Sequence, residues 1–225
     1  MTLPLSKTLD PADFELLAEE LTIVDAHFTQ AREQHPLRRW EYAMALRALA
    51  TWLEGKDYQA PTTAVDVGGT GSPFALILQE RGLGCPVVID PDGGEDLAHY
   101  LTTPSWDDDE SHPMLHQAVF CLSVLEHVDD LDQFLYHLSC LVAPSGLLFL
   151  TFDYVDTPGI HTWPEDHYHF HWMRKRIVNA YALEQLVTFP LLQRDFGHLG
   201  SIDLTWHGAH VYDYAFASLA MVKRR

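Results

Sequence analysis

Histidine is the side chain best suited to move protons near neutral pH, and this sequence sets its histidines in two chemically interesting places. His127 stands in Ser123-Val124-Leu125-Glu126-His127-Val128, directly after an apolar run. His167, His169 and His171 alternate within the aromatic segment 161–172, so an extended backbone would turn all three to one side. Either group could serve as a general base, and either could equally be a local packing or hydrogen-bonding group. A zinc or iron site at the second cluster, with Asp153 or Asp166 added, is conceivable, but the spacing matches no strong metal motif and no metal is expected. Asp107-Asp108-Asp109-Glu110 reads as a solvated acidic loop, because hard-metal sites need carboxylates that converge from the fold.

Two further carboxylates sit where strands should end. Asp66 lies in Ala64-Val65-Asp66-Val67 and is followed by Gly68-Gly69-Thr70-Gly71-Ser72-Pro73, where glycine allows backbone angles and close ligand approach that a Cβ would block. Asp90-Pro91 closes the apolar run Cys85-Pro86-Val87-Val88-Ile89, and Asp90 follows Asp66 by 24 residues. That separation is close to the roughly 20-residue offset at which a strand-end acid reaches ribose hydroxyls in nucleotide-binding βαβ units.

The elements that must position these groups alternate. Ala64 to Val67, Cys85 to Ile89, Ala118 to Leu122 and Leu147 to Phe152 read as strands, the last two being near-continuous apolar runs typical of strands buried on both faces. Ser72 and Pro73 open one intervening helix and residues Leu131 to Leu141 form another. Repeated strand–helix–strand order predicts right-handed crossovers and a parallel sheet covered by helices. Before this unit, Asp10-Pro11 starts a helix through Val24, and Leu37 to Leu53 forms a second, strongly apolar one. That helix either covers the sheet or turns Arg39 and Tyr42 toward a ligand. Residues 1–58 are thus expected as an N-terminal helical extension or cap, and residues 59–225 as the main domain. Residues 182–187 read as helix, and residues 209–223, long and β-prone, are expected to form a hairpin with Leu191 to Phe196 at the far edge.

The chain has 225 residues, 47% of them hydrophobic, enough for one substantial core. A formal charge of -18 argues against a surface that tracks nucleic-acid phosphates or anionic lipid, and favours a small neutral or cationic substrate. Cys85, Cys121 and Cys140 are odd in number and lie partly in apolar runs, which favours buried thiols and a reducing compartment. Residues 1–10 lack a secretory pattern, and no apolar stretch approaches the roughly 18 residues of a membrane span. A soluble, cytoplasmic protein is expected; the residue pattern leaves the oligomeric state open.

In this order of parts the sequence resembles the class I S-adenosylmethionine-dependent methyltransferases, small-molecule branch. The carriers are Val65-Asp66-Val67-Gly68-Gly69-Thr70-Gly71, Val88-Ile89-Asp90, Leu122 to Val128, and Leu141-Val142-Ala143-Pro144-Ser145-Gly146-Leu147-Leu148-Phe149-Leu150. The resemblance departs from the family at the turn, which either is one residue shorter or has Thr70 and Ser72 in place of glycines, and no clear counterpart exists for the acid that receives the adenine amine, Asp107 being the candidate. It implies an α/β, Rossmann-like three-layer sandwich with a mostly parallel seven-stranded sheet whose last strand is antiparallel. It also implies S-adenosyl-L-methionine as cofactor, held by Tyr42, Asp66, Gly68, Gly69, Thr70, Gly71, Asp90, Pro91, Leu122, Ser123 and Val124. His127, His167 and His169 are the implied catalytic candidates, and the segment 161–172 the implied cover of the acceptor pocket.

The implied reaction is methyl transfer to O, N or C of a small molecule by in-line displacement. A methyltransferase-like binding or regulatory domain without turnover is the alternative. A nicotinamide oxidoreductase stands third, because Pro73 removes one of the N–H groups on which pyrophosphate binding at a helix start depends.

Overall fold

Continuous apolar runs become the inner strands of one twisted sheet. A computed structural model describes residues 3–28, 38–54, 56, 63–83, 86–90, 97, 115–154, 159–162, 177–181, 183–208 and 215–225. In chain order these form β1 (Ser6–Thr8), α1 (Asp13–Leu16), α2 (Ala18–Phe28), α3 (Arg38–Leu53), β2 (Ala64–Val67), α4 (Phe74–Glu80), β3 (Val87–Ile89) and β4 (His116–Leu122). There follow a 3-10 turn (Leu125–His127), α5 (Leu131–Leu141), β5 (Val142–Tyr154), β6 (Gly159–Thr162), β7 (Ile177–Ala180), α6 (Leu183–Val187), α7 (Pro190–Asp195), β8 (Phe196–His198), β9 (Ile202–Asp203) and β10 (Ala215–Lys223).

The main sheet runs β3-β2-β4-β5-β10-β1-β9, with β8 also on β10. Strands β3, β2, β4 and β5 are mutually parallel, and β10 is antiparallel to β5. The last strand is therefore antiparallel as expected, but it is not the edge, since β8 and β1 lie end to end along its far side. Side chains alternate across β5: Leu147 and Phe149 join a core with Trp40, Met44, Phe74 and Phe120 on the α3 and α4 side, while Leu148, Leu150 and Phe152 join Leu135, Leu138 and Leu186 on the other. Helices on both faces of the sheet make the expected three-layer α/β sandwich.

The N-terminal segment contains helices where the spacing predicts them, with one break at Leu17 between α1 and α2. It also contributes a strand, which the sequence reading lacked: Lys7 pairs with Ser218 and Thr8 with Ala217. Buried Lys7 is ion-paired with Asp13, whose other oxygen accepts from Trp40 Nε1 at 2.9 Å and the Asp10 amide at 3.0 Å. Helix α3 is apolar nearly all round, as suits a helix packed against the sheet while α2 covers it.

A second expectation needs correction. Leu191 to Asp195 is helical rather than extended, because Pro190 supplies the first helical position of α7 with its φ preset. Only at Phe196 does the chain extend, and β8 then makes the expected antiparallel pairing with β10. Strands β6 and β7 form a separate hairpin, and β7 packs against the 3-10 turn and β5. His167, His169, His171, Pro91, Asp166, Cys85 and the acidic run 107–110 lie outside the described residues. No described helix is long and apolar enough to cross a membrane.

Candidate functional site

The glycine turn is fixed by its neighbours before any ligand is considered. Strand β2 lies between β3 and β4, with Asp66 opposite Val88 and Phe120. The Gly68 amide donates to Ile89 O at 2.7 Å and the Thr70 amide to Asp90 Oδ2 at 3.1 Å, so the turn is tied to the end of β3. Gly68 has φ +80, and a Cβ there would overlap Val124 Cγ2 from beyond β4. Both its conformation and its close approach require glycine. Ser72 Oγ accepts from the Phe74 amide at 3.0 Å, the cap expected at the start of α4.

Asp66 lies beneath this turn, 1% exposed, and its Oδ2 has no hydrogen-bond partner among the described residues. A Cβ at Gly69 would overlap the same carboxylate, so the absent side chain makes room for it. Burial, and then the negative charge of Asp90, push the Asp66 carboxyl up to about 7. A buried carboxylate with an unpartnered oxygen is a receptor for a donor that the described residues do not supply.

A cleft of about 630 Å³ opens beside the turn at the carboxyl ends of the parallel strands. Gly68, Thr70, Asp90, Ser123, Val124 and His127 line it, together with Arg38 from α3 and Gln133, Phe134 and His137 from α5. Six of the sequence-derived candidates thus meet in one place. Asp66, Gly69 and Leu122 are buried behind that wall, and Gly71, at φ +79, stands in open space at the turn's far end. Tyr42 is placed differently from a ligand-facing group: it is 2% exposed, stacks on Phe74 with centroids 5.4 Å apart, and its hydroxyl lies 3.3 Å from Ser72 Oγ. It braces the start of α4.

Around Ser123 stand groups that the sequence reading did not single out: Arg38, Glu41 and Thr151. Ser123 adopts φ +52, a left-handed conformation that is strained for a non-glycine residue. Its amide donates to both Thr151 O, at 3.1 Å, and Thr151 Oγ1, at 3.0 Å. The hydroxyls of Ser123 and Thr151 both donate to Glu41 Oε1, and Glu41 Oε2 is ion-paired with Arg38 Nη1 at 3.5 Å. Glu41 is fully buried. Its signal in the sequence was a lone acid in the apolar run Trp40 to Leu46. Glu126 and Asp153 are buried nearby, and Asp153 is held well above the usual carboxylate range by burial, then by Glu126 and Glu41, with Arg38 opposing.

No family model matches the chain, and no curated protein matches it. Among solved structures, it is similar to a Listeria monocytogenes protein described as an S-adenosylmethionine-dependent methyltransferase, with TM-score 0.51, 12% identity, and coverage of 80% of this chain and 100% of the other. A methyltransferase of the same dependence from Mesorhizobium loti gives 0.49 and 14% over 79% and 96%. A sugar N-methyltransferase from Streptoalloteichus gives 0.49 and 11% over 90% and 93%. With the parallel core β3-β2-β4-β5 and antiparallel β10, the chain has the fold of the class I S-adenosylmethionine-dependent methyltransferases.

Proposed function

We propose that the protein binds S-adenosyl-L-methionine in this cleft and transfers its methyl group to a small-molecule acceptor. The observation that carries the reading is the glycine turn pinned between Asp90 and Val124 with the unpartnered Asp66 carboxylate beneath it. These residues fit the cofactor: Asp66 supplies a buried anion for its ammonium group, Asp90 a carboxylate for ribose hydroxyls, and Gly68 and Ser123 to Val124 the close-approach surfaces. A cleft of about 630 Å³ lies in the range of roughly 300–1,000 Å³ typical of small-molecule sites.

The bound sulfonium supplies an activated methyl group, so the chain's task is alignment and exclusion of water. His127 lines the cleft. For a hydroxyl or ammonium acceptor it is the candidate general base, worth roughly 10²–10⁴-fold. His167 and His169, on the connection between β6 and β7, remain candidates for the same acceptor pocket. The acidic chain favours a neutral or cationic acceptor over an anion.

Calorimetric titration with S-adenosylmethionine, S-adenosylhomocysteine and NAD tests the cofactor assignment. Both adenosyl ligands should bind and NAD should not; failure of both adenosyl ligands overturns it. Transfer of labelled methyl to acceptor mixtures then separates an enzyme from a binding domain without turnover.

A further inference from the structure

We infer that Glu41 is a positioning residue for the cofactor cleft: without lining the cleft, it holds Ser123 in the conformation that sets Val124 and His127 in the cleft wall, so that helix α3 governs cofactor affinity. The inference rests on the methyltransferase reading and adds to it a residue that acts through another.

Three observations carry it. The first is that Ser123 needs support. It is the residue at which the chain leaves β4, and its φ of +52 is a conformation that disfavours a residue with a Cβ by roughly 5–30-fold against its extended alternatives. Its amide is held by Thr151 O and Oγ1, and its hydroxyl, in a side chain only 6% exposed, requires an acceptor as well.

The second observation is that one buried oxygen serves both strands. Glu41 Oε1 accepts from the hydroxyls of Ser123 and Thr151, and Thr151 lies opposite Leu122 in the parallel pairing of β4 with β5. Thr151 has a single O–H to give. By donating it to Glu41, it turns a lone pair of Oγ1 toward the Ser123 amide. Removing the Glu41 oxygen therefore frees both hydroxyls and loosens two holds on Ser123 together. A carboxylate is the stronger acceptor for such a pair of donors, and it stands in the first turn of α3, where the helix dipole favours negative charge.

The third observation is what Ser123 positions. Val124, the next residue, packs so closely on the glycine turn that a Cβ at Gly68 would overlap its Cγ2, and its carbonyl accepts from the His127 amide at 2.9 Å. Ser123, Val124 and His127 all line the cleft, as does Arg38, whose Nη1 lies 3.5 Å from Glu41 Oε2. Relaxation of Ser123 to an extended backbone would turn Val124 away from Gly68. The binding-competent fraction would then fall, and the apparent affinity with it.

The test is a double-mutant cycle on calorimetric affinity for S-adenosylhomocysteine. Glu41→Met keeps most of the volume but removes the oxygens, and should weaken binding by roughly 5–30-fold as the left-handed conformer is lost. Glu41→Gln retains an acceptor oxygen and should recover most of that loss. Glycine adopts the left-handed conformation freely. With Ser123→Gly in place, the added Glu41→Met change should therefore weaken binding by less than about threefold relative to Ser123→Gly alone. Native affinity in a folded Glu41→Met protein refutes the inference, as does an equal loss with and without Ser123→Gly, or a Glu41→Gln protein as weak as Glu41→Met. If Glu41→Met does not fold, Thr151→Val replaces it in the cycle, with the same dependence on Ser123 expected. Amide hydrogen exchange reads the role without any ligand: Glu41→Met should speed exchange at residues 123–127 and leave the paired interior of β4 and β5 slow. Uniform acceleration would mean that Glu41 only stabilises the fold, and refutes the inference. A protein that binds no adenosyl ligand yet shows the local exchange pattern refutes methyl transfer and leaves the positioning role of Glu41 standing.

Discussion

Asp66→Asn separates the two consequences of burying a carboxylate under the glycine turn. In the unfolded chain the carboxyl ionises near 3.8, and in the native protein at about 7, with burial the larger cause and Asp90 the smaller. Between those values the native state holds a proton that the unfolded state has released, so stability falls as pH rises through the window. Below it the cost is absent, and above about 7 it is complete. At 1.36 kcal/mol per pH unit the full cost is about 4 kcal/mol. Asparagine cannot ionise, but its amide also lacks a partner in the same space beside Gly69, so the gain at about pH 8 should be smaller, roughly 1–4 kcal/mol. Near pH 4 the variant should gain nothing. Urea unfolding of both proteins across this range measures the difference directly. A variant-to-native difference that does not change with pH would refute the account of Asp66. The same titration should appear in ligand binding. A cofactor ammonium beside Asp66 favours the ionised form and expels the proton, so affinity for S-adenosylhomocysteine should rise by up to about tenfold per pH unit toward 7, then level off. In the asparagine variant that limb should be missing.

Gly68 and Gly71 share a positive φ, +80 and +79, but only Gly68 faces a wall, the Val124 side chain. Gly71→Ala should therefore cost about 1–2 kcal/mol from left-handed strain alone, while Gly68→Ala should cost more and also weaken adenosyl-ligand binding; equal thermal shifts in the two variants would contradict the overlap. Asp13→Ala should destabilise by about 3–5 kcal/mol, because it strands the buried Lys7 ammonium and removes the acceptor of the Trp40 indole. The double variant Lys7→Met, Asp13→Leu leaves no lone charge and should recover much of that loss in urea unfolding, unlike the single one.

What was legible in the sequence is what repeats or is locally dictated. Four parallel strands announced themselves by apolar runs, and the turn between β2 and α4 by its glycines, because both signals lie within a few residues of one another. What was hidden depends on partners far away in the chain. Ser6–Thr8 is three residues long, with no periodicity to read, and is a strand only because β10 offers an edge more than two hundred residues later. The apolar run reads as a strand ending at Phe152, with Asp153 considered only as an added metal ligand, yet the strand continues to Tyr154 and buries Asp153. Tyr42 was hidden in a different way: an amphipathic side chain near the site can face a ligand or pack, and its stacking on Phe74 depends on a neighbour thirty-two residues later in the chain.

Glu41 joins these two kinds of information, and it changes how the N-terminal segment relates to the site. Helix α3 could have been a cover for the sheet and nothing more. Instead its first turn places one carboxylate between the hydroxyls of Ser123 and Thr151, and so holds the left-handed Ser123 that lines the cleft. The other end of the same segment is locked by Lys7, Asp13 and Trp40, which tie β1 to α3 through a buried ion pair and an indole hydrogen bond. Strain at Ser123 persists only because several elements over-determine it. Two of those contributions, the Thr151 contacts and the Glu41 acceptor, come from positions 110 residues apart in the sequence. Any displacement of α3 therefore releases the β4 turn, and with it the cleft wall that carries Val124 and His127.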